Sequence, residues 1–469
     1  MLTLQPSSST PLVMQITEGL RALIAARSLK PGAKLPSIRA FAAVHAVSVF
    51  TVVEAYNRLV AQGLLRSQPH AGFFVHRVMH AEPQSGPSDA RHLPVFDADW
   101  YLQQIFENRD WPLKPGCGWL PDEWMFADGV RRGMRRLGTQ GLSLGGYGEP
   151  MGLLALRQTI AQNLAHDQLI AASSDQVLLT HGASQGLDLA ARSLIRPGDV
   201  VLVDDPGYPN LMRLLRSLGA RLIGVPRTPS GYDMQRLEQL LNTQELPRPT
   251  VFFTQPRLQS PTCSRASLAQ MHQLLKWAAQ HDFMLVENDI YADMDASHQP
   301  SLASLDQLDR VIYLGSFSKT VSANLRVGYL LAREDIVAQL TQRKMLSGLT
   351  SSEVAERLVF NVITDGRWRR HLKSLREQLA ATHEKVALAL LRLGFELYCE
   401  PREGMYLWAQ HPQVADCMTM VADAAKEGIL LGLGRLFVVD DQPTSWLRFN
   451  VAFSDNERLW RWIDDWLKR

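Results

Sequence analysis

Cysteine is scarce in this sequence, and long apolar runs are missing. The four cysteines, Cys117, Cys263, Cys399 and Cys417, are widely spaced and form no CxxC pair. They read as reduced structural residues, not as a disulfide framework or a metal site. No apolar stretch approaches the length that spans a bilayer. The first residues, MLTLQPSSST, lack the basic-then-apolar order of a signal peptide. The expectation is a cytoplasmic protein with no membrane partner. No internal repeat is visible. Strong net charge is also missing, since the formal balance is only +2. That balance hides an asymmetry. Residues 1–78 hold eight Lys/Arg against two Asp/Glu, and the remainder holds 41 against 45. A basic module on a slightly acidic body suits contact with a polyanion, although a solvated basic surface has the same composition. The apolar fraction of 46% excludes wholesale disorder, and 469 residues exceed one ordinary domain. Two or three folded units are expected.

The first unit is short and helical. Leu12, Ile16, Leu20, Leu23 and Ile24 recur at helical spacing within 11–27, and Pro31-Gly32 ends that pattern. Ser37 is placed to cap a short helix over 38–44, and Ser48 to cap another over 49–62. Gly63 stops the second. Residues 64–75 alternate weakly around Pro69 and Gly72, as a β-hairpin does. Residues 79–92, MHAEPQSGPSDARH, have linker composition, and the linker extends to about 108, with a short helix possible over 97–107. Beyond it, apolar runs alternate with helical stretches. The strand candidates are Val177–Thr180, Val200–Val203, Arg221–Val225, Val251–Thr254, Phe283–Glu287 and Val311–Gly315. This pattern predicts an α/β body over 109–469 with a parallel sheet covered on both faces. A smaller lobe is expected over about 358–469.

Three helices and a hairpin, two of the helices Ser-capped, match an α+β winged helix-turn-helix. The segment KPGAKLPSIRAFAAVHAVSVFTVVEAYNRLVAQGLLRSQPHAGFFV (30–75) resembles the GntR-type DNA-binding domain. That resemblance implies double-stranded DNA as partner, with Lys34, Ser37, Arg39, Ser48 and Thr51 at the duplex. Lys34 and Arg39 suit phosphates, or are simply solvated charges. One departure concerns Val49-Phe50, where the family often has a polar or basic residue. An apolar side chain there meets a thymine methyl or is packed inside.

In the body, Ser316-Phe317-Ser318-Lys319 follows a strand candidate, with Arg326 seven residues on. A lysine that loses solvation beyond a buried strand has a lowered pKa, and its neutral amine is nucleophilic. A lone SxSK is more often a solvated loop, so its surroundings decide. Gly182-Ala183-Ser184-Gln185 opens a helix after a strand, where backbone N–H groups suit phosphate. Tyr208, in Asp205-Pro206-Gly207-Tyr208-Pro209, offers a ring for stacking. Tyr291 follows the strand candidate Phe283–Glu287. Arg448 suits a carboxylate or forms an ordinary salt bridge.

In this order and spacing the residues are similar to those of fold-type I PLP enzymes, the aspartate aminotransferase superfamily, over about 116–469. The likeness includes Tyr147-Gly148-Glu149-Pro150 with Gly152. It implies that Lys319 carries pyridoxal 5′-phosphate (PLP) as an internal aldimine. It also implies that Ala183, Ser184, Ser316 and Arg326 bind the phosphate, that Tyr208 stacks on the ring, and that Tyr291 contacts the phenolic oxygen. Arg448 would receive a ligand carboxylate. Tyr147 would reach the phosphate of a second subunit, which implies a homodimer. A GntR-type domain joined by a linker to such a body is the layout of the MocR subfamily of regulators. Three departures stand out. Asn288 replaces the aspartate that keeps the pyridine nitrogen protonated, unless Asp289 takes its place by a register shift. Ser260 stands where the family has asparagine near the ring oxygen. Ala323 or Ser322 replaces a proline after Lys319. The implied function is a transcription regulator that senses a small amine, an amino acid or PLP itself, with weak residual transamination at most. The rival readings are a working aminotransferase with an accessory DNA-binding domain, and a DNA-binding scaffold with a vestigial pocket.

Overall fold

The computed structural model describes residues 4–6, 8, 10–26, 28–68, 71–76, 103–104, 111–139, 141, 145–243, 247–297, 299–400 and 403–469. Apart from Gln103 and Gln104, the linker expected over 79–108 lies outside the described residues, as does Pro69 of the hairpin turn. The chain divides into two compact units, Met1–Leu93 and Pro94–Arg469.

In the first unit, helices α1 (Leu12–Ala25), α2 (Ile38–His45) and α3 (Val49–Ala61) precede strands β1 (Leu65–Gln68) and β2 (Gly72–Val75). Ser37 Oγ accepts from Ala40 N at 3.2 Å, and Ser48 Oγ accepts from Thr51 N at 3.0 Å. Each satisfies a donor that the first helical turn leaves orphaned. Ile16, Leu20, Phe41, Val52, Tyr56, Leu59 and Val75 form the core of this unit. Tyr56 is buried whole because its hydroxyl donates to Pro36 O at 3.1 Å.

The second unit is built on an eight-stranded sheet. Its strands are β3 (Val177–Thr180), β4 (Val200–Asp205), β5 (Arg221–Thr228), β6 (Gly231–Tyr232), β7 (Val251–Thr254), β8 (Met284–Asn288), β9 (Val311–Ser316) and β10 (Gly328–Leu331). Their order is β3-β10-β9-β8-β7-β4-β5-β6. Side-chain alternation covers both faces. Leu179, Leu202, Phe252, Leu285 and Tyr313 join one core cluster, and Leu178, Val203, Phe253, Val286 and Ile312 join the opposite one. The sheet is mixed, not wholly parallel as the strand pattern predicts. β10 runs antiparallel to both β3 and β9, and β6 antiparallel to β5.

A second sheet of β11 (Glu396–Leu397), β12 (Tyr406–Gln410), β13 (Gly432–Leu433) and β14 (Trp446–Asn450), in the order β11-β12-β14-β13, forms the smaller lobe. Leu358 and Val362 pack into the large-sheet core, not into this lobe. The change of lobe falls along the helix Trp368–Arg392, whose Leu372 belongs to one core and Leu375 to the other. Residues 111–120 return to the smaller lobe. Leu430 N donates to Leu113 O at 2.9 Å, and Gly116 N to Leu430 O at 2.8 Å. Among the described residues no helix is long and apolar enough to cross a membrane.

Candidate cofactor site

Strands β3, β4, β7, β8 and β9 point the same way, so the loops after them gather along one edge. Crevices beyond the carboxyl ends of such strands are where α/β sheets bind ligands. β10 runs the other way, so it begins at this same edge and delivers Arg326.

Lys319 lies in the turn after β9. Its Nζ donates to the backbone oxygen of Gly118 and sits 5.9 Å from the centre of the Tyr291 ring. Burial pushes the Lys319 ammonium down to about 8, and the neighbouring charges of Arg448 and Arg326 add to the effect. A usable fraction of neutral amine therefore exists near neutral pH.

Beside it is a cradle for an anion. The helix Gly182–Leu194 starts after β3 with no side-chain cap on its first turn. Its exposed N–H groups carry the positive end of the helix dipole. Arg326 faces that start. Its Nη2 donates to His181 O at 3.2 Å, and its Nη1 lies 3.5 Å from Ser318 Oγ. Gly182 adopts φ +68°, and a Cβ there would fall 2.6 Å from Arg326 Nη2. Only glycine leaves this space open. Ala183 is buried and Ser184 exposed. Ser316 Oγ accepts from Ser318 N at 3.2 Å.

Tyr208 is half-buried at the end of the β4 loop, and Asn210 Nδ2 donates to its hydroxyl at 3.4 Å. Tyr291 is buried, with its hydroxyl 3.1 Å from that of Tyr406. Asn288 ends β8. It is buried, and its Oδ1 has no hydrogen-bond partner among the described residues. Asp289 does not stand in for it. Arg257 Nε donates to Asp289 Oδ1 at 2.8 Å, and Arg257 Nη2 bonds the other carboxylate oxygen. Ser260 is buried 3.4 Å from Arg448 Nη1, and its N–H donates to Gln255 Oε1 at 2.9 Å. Arg448 lies between the rings of Tyr406 and Phe437, 4.4 and 4.7 Å from their centres. Among the described residues no salt bridge occupies it. Its Nη2 donates to Gly116 O at 2.7 Å, and its Nε has no partner among them.

Tyr147 is 83% exposed. Its loop is held from below. The buried Lys344 ammonium donates to Pro150 O and Leu179 O, both at 2.8 Å, and Glu356 Oε2 accepts from Leu153 N at 2.8 Å.

Several residues at the cleft escape the sequence reading. Gly116 to Trp119 contribute backbone carbonyls, which no residue type announces. Asn450 Nδ2 donates to Cys117 O at 3.1 Å and to Trp119 O at 2.7 Å. Strand alternation from Arg448 marks Asn450 as facing the same way. Tyr406 and Gln255, whose Nε2 is buried without a partner among the described residues, carry no local signal.

In the first unit Lys34 and Arg39 are exposed. Lys34 Nζ lies 5.8 Å over the Phe74 ring. Ser37 and Ser48 spend their oxygens on helix caps, and Thr51 Oγ1 is 2.7 Å from Ser48 Oγ.

Comparison with known proteins agrees with both units. The pattern of the aminotransferase class I and II family matches residues 130–464, and that of the gntR family of bacterial regulatory proteins matches 12–75. The chain belongs to the aminotransferase class I and II family and is a fusion of that body with a GntR-type DNA-binding domain, the layout of the MocR subfamily. Similar proteins include the HTH-type transcriptional regulator YdcR of Escherichia coli. It is 27% identical over 452 residues, covering 95% of this chain and 96% of that one. The probable rhizopine catabolism regulatory protein MocR of Rhizobium meliloti is 27% identical over 399 residues, covering 84% and 79%. The crystal structure of LysN, the α-aminoadipate aminotransferase of Thermus thermophilus, shares the fold. Its TM-score is 0.71 at 24% identity, covering 78% of this chain and 95% of that one.

Proposed function

We propose that this chain is a cytoplasmic, dimeric, DNA-binding transcription regulator whose body holds PLP and senses a small amine or amino acid. The group fits the residues present. Lys319 would hold its aldehyde carbon, and Ala183, Ser184, Ser316 and Arg326 its phosphate. Tyr208 would lie against its ring, Asn288 at the ring nitrogen, and Ser260 and Tyr291 at the ring oxygen. Tyr147 is exposed on its own chain, which suits a role across a dimer. When bound, PLP takes up amines and withdraws electrons from the adjoining carbon, most strongly when its ring nitrogen is protonated. Asn288 is a neutral amide and does not stabilise that charge as a carboxylate does. Anchoring is therefore kept while electron withdrawal is weakened, which favours a sensor over an efficient aminotransferase.

The observation that carries the sensing role is the pair of bonds to residues 116–118. Lys319 and Arg448, the two side chains that would take an aldehyde and a carboxylate, both donate to backbone oxygens of this stretch. A ligand that engages either side chain competes for its bond to that stretch. Occupancy of the cleft would thus change what holds residues 116–118, which precede the large sheet in sequence. A ligand shifts such an equilibrium only by its differential affinity for the two states.

The test combines spectra with DNA binding. The purified chain is expected to develop visible absorption with PLP, and Lys319→Ala to lose it along with all covalently retained PLP after borohydride reduction. The same variant keeps salt-dependent duplex binding. Equal retention of PLP by Lys319→Ala overturns the assignment. Capture of PLP by the free chain is expected to speed up as pH rises, with a midpoint near 8, because the neutral amine is the reactive form. A midpoint at the ordinary lysine value, above about 10, contradicts the buried position of the amine. The working-aminotransferase reading draws on the same intact Lys319 and Arg448. Rapid turnover of an amino acid by the native chain would decide in its favour.

A further inference from the structure

Three large apolar side chains of the first unit point outward, on the adjoining ends of α2 and α3. Val44 is 77% exposed, Val49 49% and Phe50 78%. Helical geometry accounts for Phe50. Val52, Ala55, Tyr56 and Leu59 are the core side of α3. Phe50 lies two residues before Val52, roughly 160° away around the helix. The packed alternative for Phe50 is therefore excluded. The flanking hydroxyls of Ser48 and Thr51 are engaged with each other and with the cap. This surface consequently presents hydrocarbon and not free hydroxyls.

The charge of the same unit points to what covers it. Lys34, Arg39 and Arg66 are exposed in the same unit. The acidic groups Glu18 and Glu54 are each paired with an arginine, at 3.5 and 2.9 Å. An apolar patch on a unit that also exposes these cations suits a polyanion that offers a methyl group. In the major groove the only such group on a base edge is the C5-methyl of thymine. The cations supply affinity that is blind to sequence, whereas the methyl contact discriminates.

We propose that Phe50, with Val49 beside it, reads a thymine C5-methyl in the major groove. The inference rests on the DNA-binding reading above and goes beyond it by naming the base. The test uses the full-length chain. Duplexes are selected from a random library by the native protein and by Phe50→Ala, at one fixed salt concentration. Each thymine of the native motif is then replaced by uracil, which removes the methyl and nothing else.

One replacement is expected to weaken the native protein about three- to tenfold, the scale of one methyl group leaving an apolar contact. Phe50→Ala binds the thymine and uracil duplexes equally. The inference falls if no uracil replacement weakens the native protein, or if Phe50→Ala loses as much as the native chain on the same replacement. The uracil arm uses the native protein, so it does not depend on the variant folding. Failure of the native chain to select any sequence overturns the DNA-binding reading itself, and this inference with it.

Discussion

An Asn288→Asp variant loaded with PLP is expected to exchange amino groups with amino acids about a hundredfold or more faster than the native chain. Asn288 is buried, and its Oδ1 has no hydrogen-bond partner among the described residues. With residue 288 at the ring nitrogen, as proposed above, a carboxylate there would supply the negative charge that a protonated nitrogen needs. The adjoining carboxylate cannot supply it, because Arg257 holds Asp289 through Nε at 2.8 Å and through Nη2. Single-turnover conversion to the pyridoxamine form, followed by absorbance, measures the effect. An unchanged or slower rate in Asn288→Asp means that residue 288 does not govern the electronics. Ser260 remains in this variant, so a rate still below that of an efficient enzyme is expected.

Arg257→Met is expected to cost the body about 3–5 kcal/mol, the range for removing one partner of a buried ion pair. Arg257 is almost fully buried. It serves Asp289, Asp295, the Gln299 carbonyl at 2.9 Å and Gln168 Oε1 at 2.7 Å. Asp295 keeps a second partner, because Arg265 donates to its two oxygens at 2.9 and 3.1 Å. The cost therefore falls mainly on Asp289, left charged without a counter-ion. The double variant Arg257→Met/Asp289→Leu is expected to recover much of the loss. Denaturant unfolding of the three proteins tests this. A loss below about 1 kcal/mol in the single variant contradicts the account. The pair also bears on the cleft. With Asp289 tied to Arg257, the end of β8 cannot slip to bring a carboxylate in place of Asn288.

Much of the large sheet was readable because each central strand is a short apolar run between helical stretches. β10 was not. It is four residues long, begins with glycine and follows a polar turn, and only its pairing with β3 and β9 defines it. The caps Ser37 and Ser48 were readable because capping is a local interaction. The opposite fates of Asn288 and Asp289 follow from alternation along a strand. The carbonyls of Gly116 to Trp119 were invisible, because a backbone oxygen carries no residue identity and its partners stand more than 200 positions away. The boundary of the smaller lobe was misplaced for a related reason. Periodicity marks an apolar face but does not say which of two cores receives it.

The turn between β9 and β10 is closed on itself. Phe317 N donates to Val327 O at 3.1 Å, and Val321 N to Phe317 O at 2.9 Å. Lys319 and Arg326 ride on that single hairpin, whereas Arg448 stands on a strand of the other lobe. A shift of one lobe against the other would change the distance from the Lys319 amine to the Arg448 guanidinium, while Lys319 and Arg326 stay on one hairpin. On the function proposed above, retention of the aldehyde and choice of guest would then be mechanically separate. Changes at Phe437 or Tyr406, whose rings flank Arg448, would be expected to alter the guest admitted while the anchor stays as it is.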